Sequence, residues 1–148
     1  MTDYNDTIQQ GLTNVLANTY VLYLLTHNCH WNVKGINFHH LHAMFEEQYT
    51  DLAVAVDDIA ERLRALGHYA EGSFAQFHKR SQIVELTEQA DQKTMIHSLI
   101  AGNVLVVAMM RTLLRLVEEA QDDGSADLLS TRIAVHEKTL WMLRSLLD

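Results

Sequence analysis

The sequence contains no proline, only six glycines and a single cysteine, Cys29. Proline and glycine are the residues that most often interrupt helices, so their scarcity, together with long periodic segments, predicts an all-helical chain. One cysteine cannot form an internal disulfide or a cysteine-based zinc site, which fits a reducing compartment. A chain of 148 residues has the size of one domain, so we expect a single domain over residues 1–148 with a sizeable core.

Long apolar runs and basic clusters are also missing. No uninterrupted apolar run reaches about 18 residues, and the start MTDYNDTIQQ lacks the basic and apolar regions of a signal peptide. We therefore expect no membrane span and a cytoplasmic location. The first basic residue is Lys34, no basic tail follows Arg144, and the formal net charge is −8 at pH 7. Nucleic-acid surfaces need lysine and arginine to neutralise phosphates, so this balance argues against DNA binding.

Apolar residues recur at helical spacing in four long segments. The pattern predicts helices over residues 7–33, 38–66, 91–122 and 126–147, and a short helix over 74–79 in the long connection. We expect N-caps at Asn37, Ser73 and Ser125 and helix ends at Gly67 and Gly124. Four long helices with one long crossover, between the second and third, form the arrangement of a ferritin-like four-helix bundle.

Bundles of that class usually hold two irons in their own core through Glu-x-x-His motifs. No histidine in this sequence stands three residues after a glutamate. We also expect the inner faces of the third and fourth long helices to be almost purely apolar. The residue inventory therefore excludes a di-iron core within one chain.

Two pairs of potential metal ligands lie on one stripe of the second predicted helix. His42 and Glu46 are four residues apart, as are Asp57 and Glu61, so each pair stacks on one face. The 11 residues from Glu46 to Asp57 make about three turns and span about 16 Å. One metal with bonds of about 2 Å cannot be held by both pairs. Two antiparallel copies, related by a two-fold near residues 51–52, would bring opposite pairs together. The spacing thus predicts a site shared between subunits, twice per dimer.

Three sequence features resemble the Dps family of miniferritins: HWNVKG from His30, His42 twelve residues later, and D-x-x-A-E-R from Asp57. The four-helix layout, the short helix in the connection and the Leu140-Trp141 end extend the resemblance over essentially the whole chain. The resemblance implies a hollow dodecamer with ferroxidase sites at two-fold interfaces. There ferrous iron would be oxidised by hydrogen peroxide, or oxygen, and stored as mineral in the cavity, protecting against oxidative stress.

Position by position, the resemblance places His30, His42 and Glu46 of one chain opposite Asp57 and Glu61 of its partner. The histidines would bind iron through neutral imidazole nitrogens, Glu61 would bridge two irons, and the other carboxylates would complete the set. Mixed imidazole and carboxylate ligands with open positions suit iron(II) and an oxidant. Glu46 departs from the family, where aspartate is more common. Its extra methylene is expected to shift the metal or weaken one iron position.

Other residues near these motifs have structural interpretations as well as functional ones. Trp31 is by default an amphipathic aromatic at an interface, and the resemblance makes it a neighbour of the iron and a candidate electron donor. The acids around the start of the fourth long helix are by default a solvated helix end. The resemblance places them at three-fold pores that draw iron inward, where we favour Asp122, Asp123 and Asp127. Asp122 and Asp123 would oppose the dipole of the preceding helix and gain nothing locally.

Several of these residues also have purely structural interpretations, and the sequence allows two other functions. A lone His–Glu pair at this spacing is usually a solvated pair contributing about 0.2–0.5 kcal/mol. We expect Phe74 and Phe77 to pack the short helix down, Trp141 to be a packing residue, and His136 to be exposed or hydrogen-bonded. The rivals are a DNA-compacting architectural protein of the same fold and a structural shell whose site is vestigial or holds zinc. The lysine-rich N-terminal extension of DNA-binding members is not seen, so we expect no DNA condensation.

Overall fold

The computed structural model describes residues 4–148, in which five helices and no strand are found. The helices are α1 Tyr4–Asn32, α2 Phe38–Ala65, α3 Phe74–Arg80, α4 Gln92–Glu119 and α5 Asp123–Ser145. α1 packs against α2 and α4, α5 packs mainly on α4, and the short α3 lies on α1. The predicted all-α bundle of four long helices, with a short helix between the second and third, is confirmed.

The core is one continuous apolar cluster to which all four long helices contribute. Burying a large aliphatic or aromatic side chain contributes about 1.5–3 kcal/mol, so such residues dominate the stability of the bundle. Fully buried examples, one or more from each long helix, are Leu12, Leu22, Phe45, Leu63, Leu99, Met110 and Leu143. Along each long helix most buried residues recur every three or four positions, which is the helical periodicity that predicts these segments.

The ends of α2 lie close to the predicted positions. Asn37 precedes the helix as predicted, but its side chain makes no capping hydrogen bond, because the residue adopts a left-handed conformation with φ 67°. At the other end Gly67, with φ 90°, closes the helix: its N–H bonds the Arg64 carbonyl at 3.0 Å, and His68 N–H bonds the Leu63 carbonyl at 2.9 Å. Both ends of α2 therefore lie where they were predicted, but only Gly67 acts as predicted, by ending the helix, whereas Asn37 does not cap it through its side chain.

The short helix α3 begins with the predicted cap. Ser73 Oγ accepts the backbone N–H of Gln76 at 3.2 Å, and Gln76 Oε1 accepts from Ser73 Oγ and from Gly72 N–H. Phe77 is buried and stacks on Tyr20 with ring centroids 4.8 Å apart. Phe74 is 78% exposed, so the expectation that it packs α3 down is wrong. A helix of seven residues presents one narrow side to α1, and Phe77 occupies it.

The turn between α4 and α5 differs from the prediction. α5 begins at Asp123, its N-cap is Asp122, and Ser125 lies in the first turn, where its N–H donates to Asp122 Oδ1 at 3.1 Å. Gln121, not Gly124, takes the left-handed conformation that ends α4, with φ 57°. The expectation that Asp122 gains nothing locally is therefore wrong, since its carboxylate caps the next helix.

The inner faces of α4 and α5 also carry polar residues, contrary to expectation. Asn103, Arg132 and His136 are all buried. Asn103 Nδ2 donates to the Leu99 carbonyl, which leaves its Oδ1 to accept from His136 Nδ1 at 2.8 Å. His136 Nε2 then accepts from Arg132 Nη2 at 3.1 Å. These bonds satisfy the ring nitrogens of His136 and the Oδ1 of Asn103, whereas the buried Nε of Arg132 has no hydrogen-bond partner among the described residues. The prediction that His136 is exposed or hydrogen-bonded is confirmed in its second form.

α4 and Trp141 of α5 both have apolar surface that is not buried within the chain. Within residues 4–148, α4 is the one helix long and apolar enough to cross a membrane by length and composition, and 39% of its most apolar window is buried inside the chain. A core helix of a bundle has the same composition. Trp141 on α5 is 65% exposed, so it does not pack within the chain as expected.

Candidate metal site

His30 and His42 face each other where α1 ends and α2 begins. Nδ1 of His30 lies 2.7 Å from the carbonyl oxygen of His42, and Nδ1 of His42 lies 2.7 Å from the carbonyl oxygen of His30. Their rings stack with centroids 3.8 Å apart and planes 16° apart. A carbonyl can only accept, so each Nδ1 donates, and in the neutral form of each ring Nε2 is the nitrogen with a lone pair to offer. This is how proteins orient histidines that bind metals.

The connection over residues 33–37 holds the two histidines in this position. Gly35 turns the chain with φ 101°, a conformation that few other residues adopt. From the start of α4, Gln92 Nε2 donates to the carbonyls of Lys34, at 2.8 Å, and Ile36. The loop is therefore attached to a third helix, which limits movement of α2 relative to α1 at the histidine pair.

Aromatic rings surround the histidine pair. Phe38 stacks on His42 with centroids 5.1 Å apart, and Tyr49 contacts His30 edge-on at 5.0 Å. The ring of His27 lies between those of Trp31 and Tyr49, with centroids 3.8 Å from the Trp31 ring and 4.1 Å from the Tyr49 ring. Burial, and then the neighbouring His30, lower the pKa of His27. Burial, and then the negative charge of Glu46, raise the pKa of Tyr49, which keeps its phenol protonated.

The three carboxylates of the predicted site lie elsewhere on α2. Glu46, one turn after His42, is exposed, and so are Asp57 and Glu61 near the other end of the helix. No three His, Cys, Asp or Glu side chains among residues 4–148 lie close enough together to hold a metal ion. The predicted ligands of one chain therefore fall into two groups, and because α2 is one continuous helix their separation of 11 residues corresponds to about 16 Å along its axis.

Known proteins share both the sequence and the fold. The ferritin-like domain family matches residues 9–148. The DNA protection during starvation protein of Brevibacillus brevis is 35% identical over 137 residues, covering 93% of this chain and 92% of the relative. The Dps structure from Vibrio cholerae O1, described as one of the ferritin-like diiron-carboxylate proteins, has a TM-score of 0.94 at 36% identity and covers 98% of this chain and 91% of its own.

A Dps structure from Bacillus brevis has a TM-score of 0.95 at 33% identity, covering 100% of this chain and 99% of its own. The chain belongs to the Dps family of ferritin-like proteins. With that, the predicted family and fold class are confirmed. The five ligands, the neighbouring Trp31 and the pore acids stay predictions about this Dps chain.

The three predicted pore acids of this Dps chain, at the start of α5, differ in their surroundings. Asp122 is half-buried, and its Oδ1 accepts from Arg62 Nη2 at 2.6 Å as well as from Ser125. Partial burial alone would raise the pKa of Asp122, but the hydrogen bonds from Ser125 and Arg62 and the charge of Arg62 lower it overall. Asp123 and Asp127 are exposed. Among residues 4–148, Asp122 is the one predicted pore acid in an ion pair, and Asp123 and Asp127 make none.

Sequence reasoning gave no role to several residues around the site. Tyr49 lies three residues after Glu46, a spacing that places it beside the ligand stripe, and this signal could have identified it. Arg62 belongs to the D-x-x-A-E-R motif, but the motif does not indicate its partner sixty residues away. His27 is half-buried between the rings of Trp31 and Tyr49, and its position one turn before His30 is the sequence signal that could have identified it.

Proposed function

We propose that this Dps chain is an iron-storage ferroxidase that oxidises iron(II) with hydrogen peroxide at sites shared between two subunits. The ferric product would be kept as mineral inside a closed shell of twelve chains, roughly 200 kDa from 16.9 kDa each. Membership of the Dps family supports iron storage and protection. The observation that carries the ferroxidase proposal is the histidine pair, whose rings are held by reciprocal hydrogen bonds to the backbone. The Nε2 atoms of both rings are left available at one of the two groups of predicted ligands.

The donor chemistry fits iron(II) as substrate. Imidazole nitrogen and carboxylate oxygen suit a divalent iron ion, and few ligands per ion leave positions open for an oxidant. His30 and His42 would supply rigid nitrogen ligands. Exposed Glu46 and the partner's Asp57 and Glu61 are the carboxylates whose negative charge would favour the ferric product.

The redox balance explains why two irons at one site would matter. Each iron(II) gives one electron, whereas cleavage of the O–O bond of hydrogen peroxide takes two electrons and two protons and yields two waters. A pair of irons supplies both electrons together, so no hydroxyl radical is released. Trp31, whose ring lies 3.8 Å from that of His27, is a further candidate electron donor near the pair.

The location we propose is the cytoplasm. Cys29 is a free, buried thiol whose pKa is raised to about 12 by burial, so it acts as an unreactive core residue. We do not propose DNA compaction, because a net charge of −8 opposes binding to phosphates.

The experiment that tests the proposal is a titration of iron(II)-loaded protein with hydrogen peroxide under anaerobic conditions. We expect about two irons oxidised per peroxide, with no hydroxyl radical detected by a spin trap. One iron per peroxide with radical release would contradict paired chemistry. Purified protein that holds zinc tightly and oxidises no iron would favour the structural shell instead.

A further inference from the structure

The seam between α2 and α5 is crossed by two buried or half-buried ion pairs. α2 contacts α5 less extensively than it contacts α1, and these polar links are direct contacts across that seam. In the first, Arg132 Nη1 of α5 donates to both carboxylate oxygens of Asp51, at 3.1 and 2.9 Å. In the second, Arg62 of α2 donates to Asp122 Oδ1 at 2.6 Å and to Ser125 Oγ at 2.9 Å. We call these the middle clamp and the end clamp.

The two clamps are matched in spacing and opposite in polarity. Asp51 and Arg62 are 11 residues apart on α2, and Asp122 and Arg132 are 10 residues apart at the start of α5. At about 1.5 Å per residue these separations are about 16 and 15 Å, so antiparallel helices can close both clamps at once. α2 supplies the acid in one and the base in the other. A slide of one turn along the seam would therefore break both pairs and cannot replace them with equivalent ones.

The surroundings of each clamp hold its side chains in place. Arg132 is fixed from behind by His136, which is itself hydrogen-bonded to Asn103. Arg62 lies flat against Gly124: a Cβ atom at this position would come within 2.7 Å of Nη1 and 2.8 Å of Cζ. The absence of a side chain at Gly124 is what leaves room for the guanidinium group.

Both clamps attach to α2 next to its predicted ligands. Arg62 directly follows Glu61, and Asp51 lies five residues after Glu46, between the two ligand groups. At 100° per residue neither clamp residue points along the ligand stripe, so the clamps hold the helix from another side. The register and rotation of α2 within its own bundle decide whether its ligand stripe can meet that of a partner.

We propose that Asp51, Arg62, Asp122 and Arg132 are positioning residues for the shared iron site, because the two clamps fix α2 against α5. The inference rests on the proposed function. A misplacement of about 1 Å at a reacting centre can cost roughly 100-fold in rate, so residues that touch no iron can still control oxidation.

The test compares Gly124→Ala and Asp51→Asn with the wild-type protein. Gly124→Ala keeps every charge but displaces Arg62, and alanine favours the helix, so its effect on activity is separable from a loss of stability. Arg111→Gln is the matched control, since it breaks an ion pair between α4 and α5 whose side chains are 55% and 52% exposed. The measurements are the kcat and KM of iron(II) oxidation by peroxide, the visible absorption of bound cobalt(II) and the thermal midpoint.

We expect roughly a tenfold or greater fall in kcat and an altered cobalt(II) spectrum in both clamp variants, with the control like the wild type. Failure of folded clamp variants to pair with a second copy would also support the proposal. A wild-type rate and spectrum in both variants would overturn it, even if their thermal midpoints fell, because the clamps would then be purely structural. A wild-type protein that neither oxidises iron nor binds cobalt(II) would instead overturn the proposed function, and the inference with it.

Discussion

At the scale of single residues, the histidine pair has its chemistry set by the backbone. Each Nδ1 is hydrogen-bonded to the carbonyl of the other histidine, so the nitrogen that each ring could offer to a metal is the same atom, Nε2. The sequence placed His30 and His42 twelve residues apart, and the turn over residues 33–37 converts that spacing into a stacked pair. Spacing alone does not predict the reciprocal hydrogen bonds, which depend on where two helices end.

Replacing both histidines should separate chemistry from assembly. We expect His30→Ala/His42→Ala to slow iron(II) oxidation by roughly 100-fold or more while shells still form, because two predicted ligands are lost and the apolar core of the bundle is unchanged. The measurement is stopped-flow absorbance of the ferric product. His39→Ala/His40→Ala is the matched control, since both residues are exposed on the same turn of α2. Unchanged kinetics in the first variant would remove the pair from the site.

His136 predicts a specific acid sensitivity. Burial, and then the charge of Arg132, lower its pKa from the ordinary value of 6.5 to about 3. The unfolded chain therefore binds a proton between these values that the folded chain does not. Stability should fall as pH drops below 6.5, by about 1.4 kcal/mol per pH unit from this group.

Urea unfolding at several pH values between 4 and 7 measures that slope. His136→Asn removes the titrating group and keeps a polar side chain near Asn103 and Arg132, so we expect a shallower fall of the unfolding free energy with decreasing pH. Identical slopes in the two proteins would mean that His136 is not protonated on unfolding in this range.

At the scale of helices, sequence pattern located every element but not every cap. Ser125 and Asp122 are both good N-cap residues, and the pattern could not choose between them. Arg62, brought in from α2, favours the alternative in which Asp122 caps α5, because the guanidinium binds the same carboxylate. The buried polar network was missed for a similar reason, since Asn103 and His136 lie on different helices and only packing brings them together.

The cap of α3 makes a prediction for this scale. Ser73→Ala should lower the unfolding free energy by about 1 kcal/mol, because the N–H of Gln76 loses its acceptor at the start of a seven-residue helix. Denaturant unfolding of the whole chain measures the change. Ser130→Ala, at an exposed position inside α5, serves as the control and should not destabilise the chain. Equal stability of the Ser73 variant would show that α3 does not depend on its cap.

At the scale of the whole molecule, the central feature is that the predicted ligands are divided between two places along α2. The family and the bundle follow from motifs and periodicity that a sequence displays directly. The partner surface does not, because the contacts between two copies depend on shape and rotation that no single-chain pattern encodes. The exposed acids Glu46, Asp57 and Glu61 are nevertheless consistent with a site that a second chain completes.

Co-assembly of two inactive variants tests most directly whether each iron site takes its ligands from two subunits. His30→Ala/His42→Ala retains Asp57 and Glu61, whereas Asp57→Asn/Glu61→Gln retains the histidines and Glu46. After unfolding and refolding a one-to-one mixture, half of the dimers should pair unlike chains, and one of the two sites in each should have all native ligands. The account predicts recovery of roughly a quarter of the wild-type rate of iron(II) oxidation in the mixture. A mixture as inactive as either variant alone would contradict it.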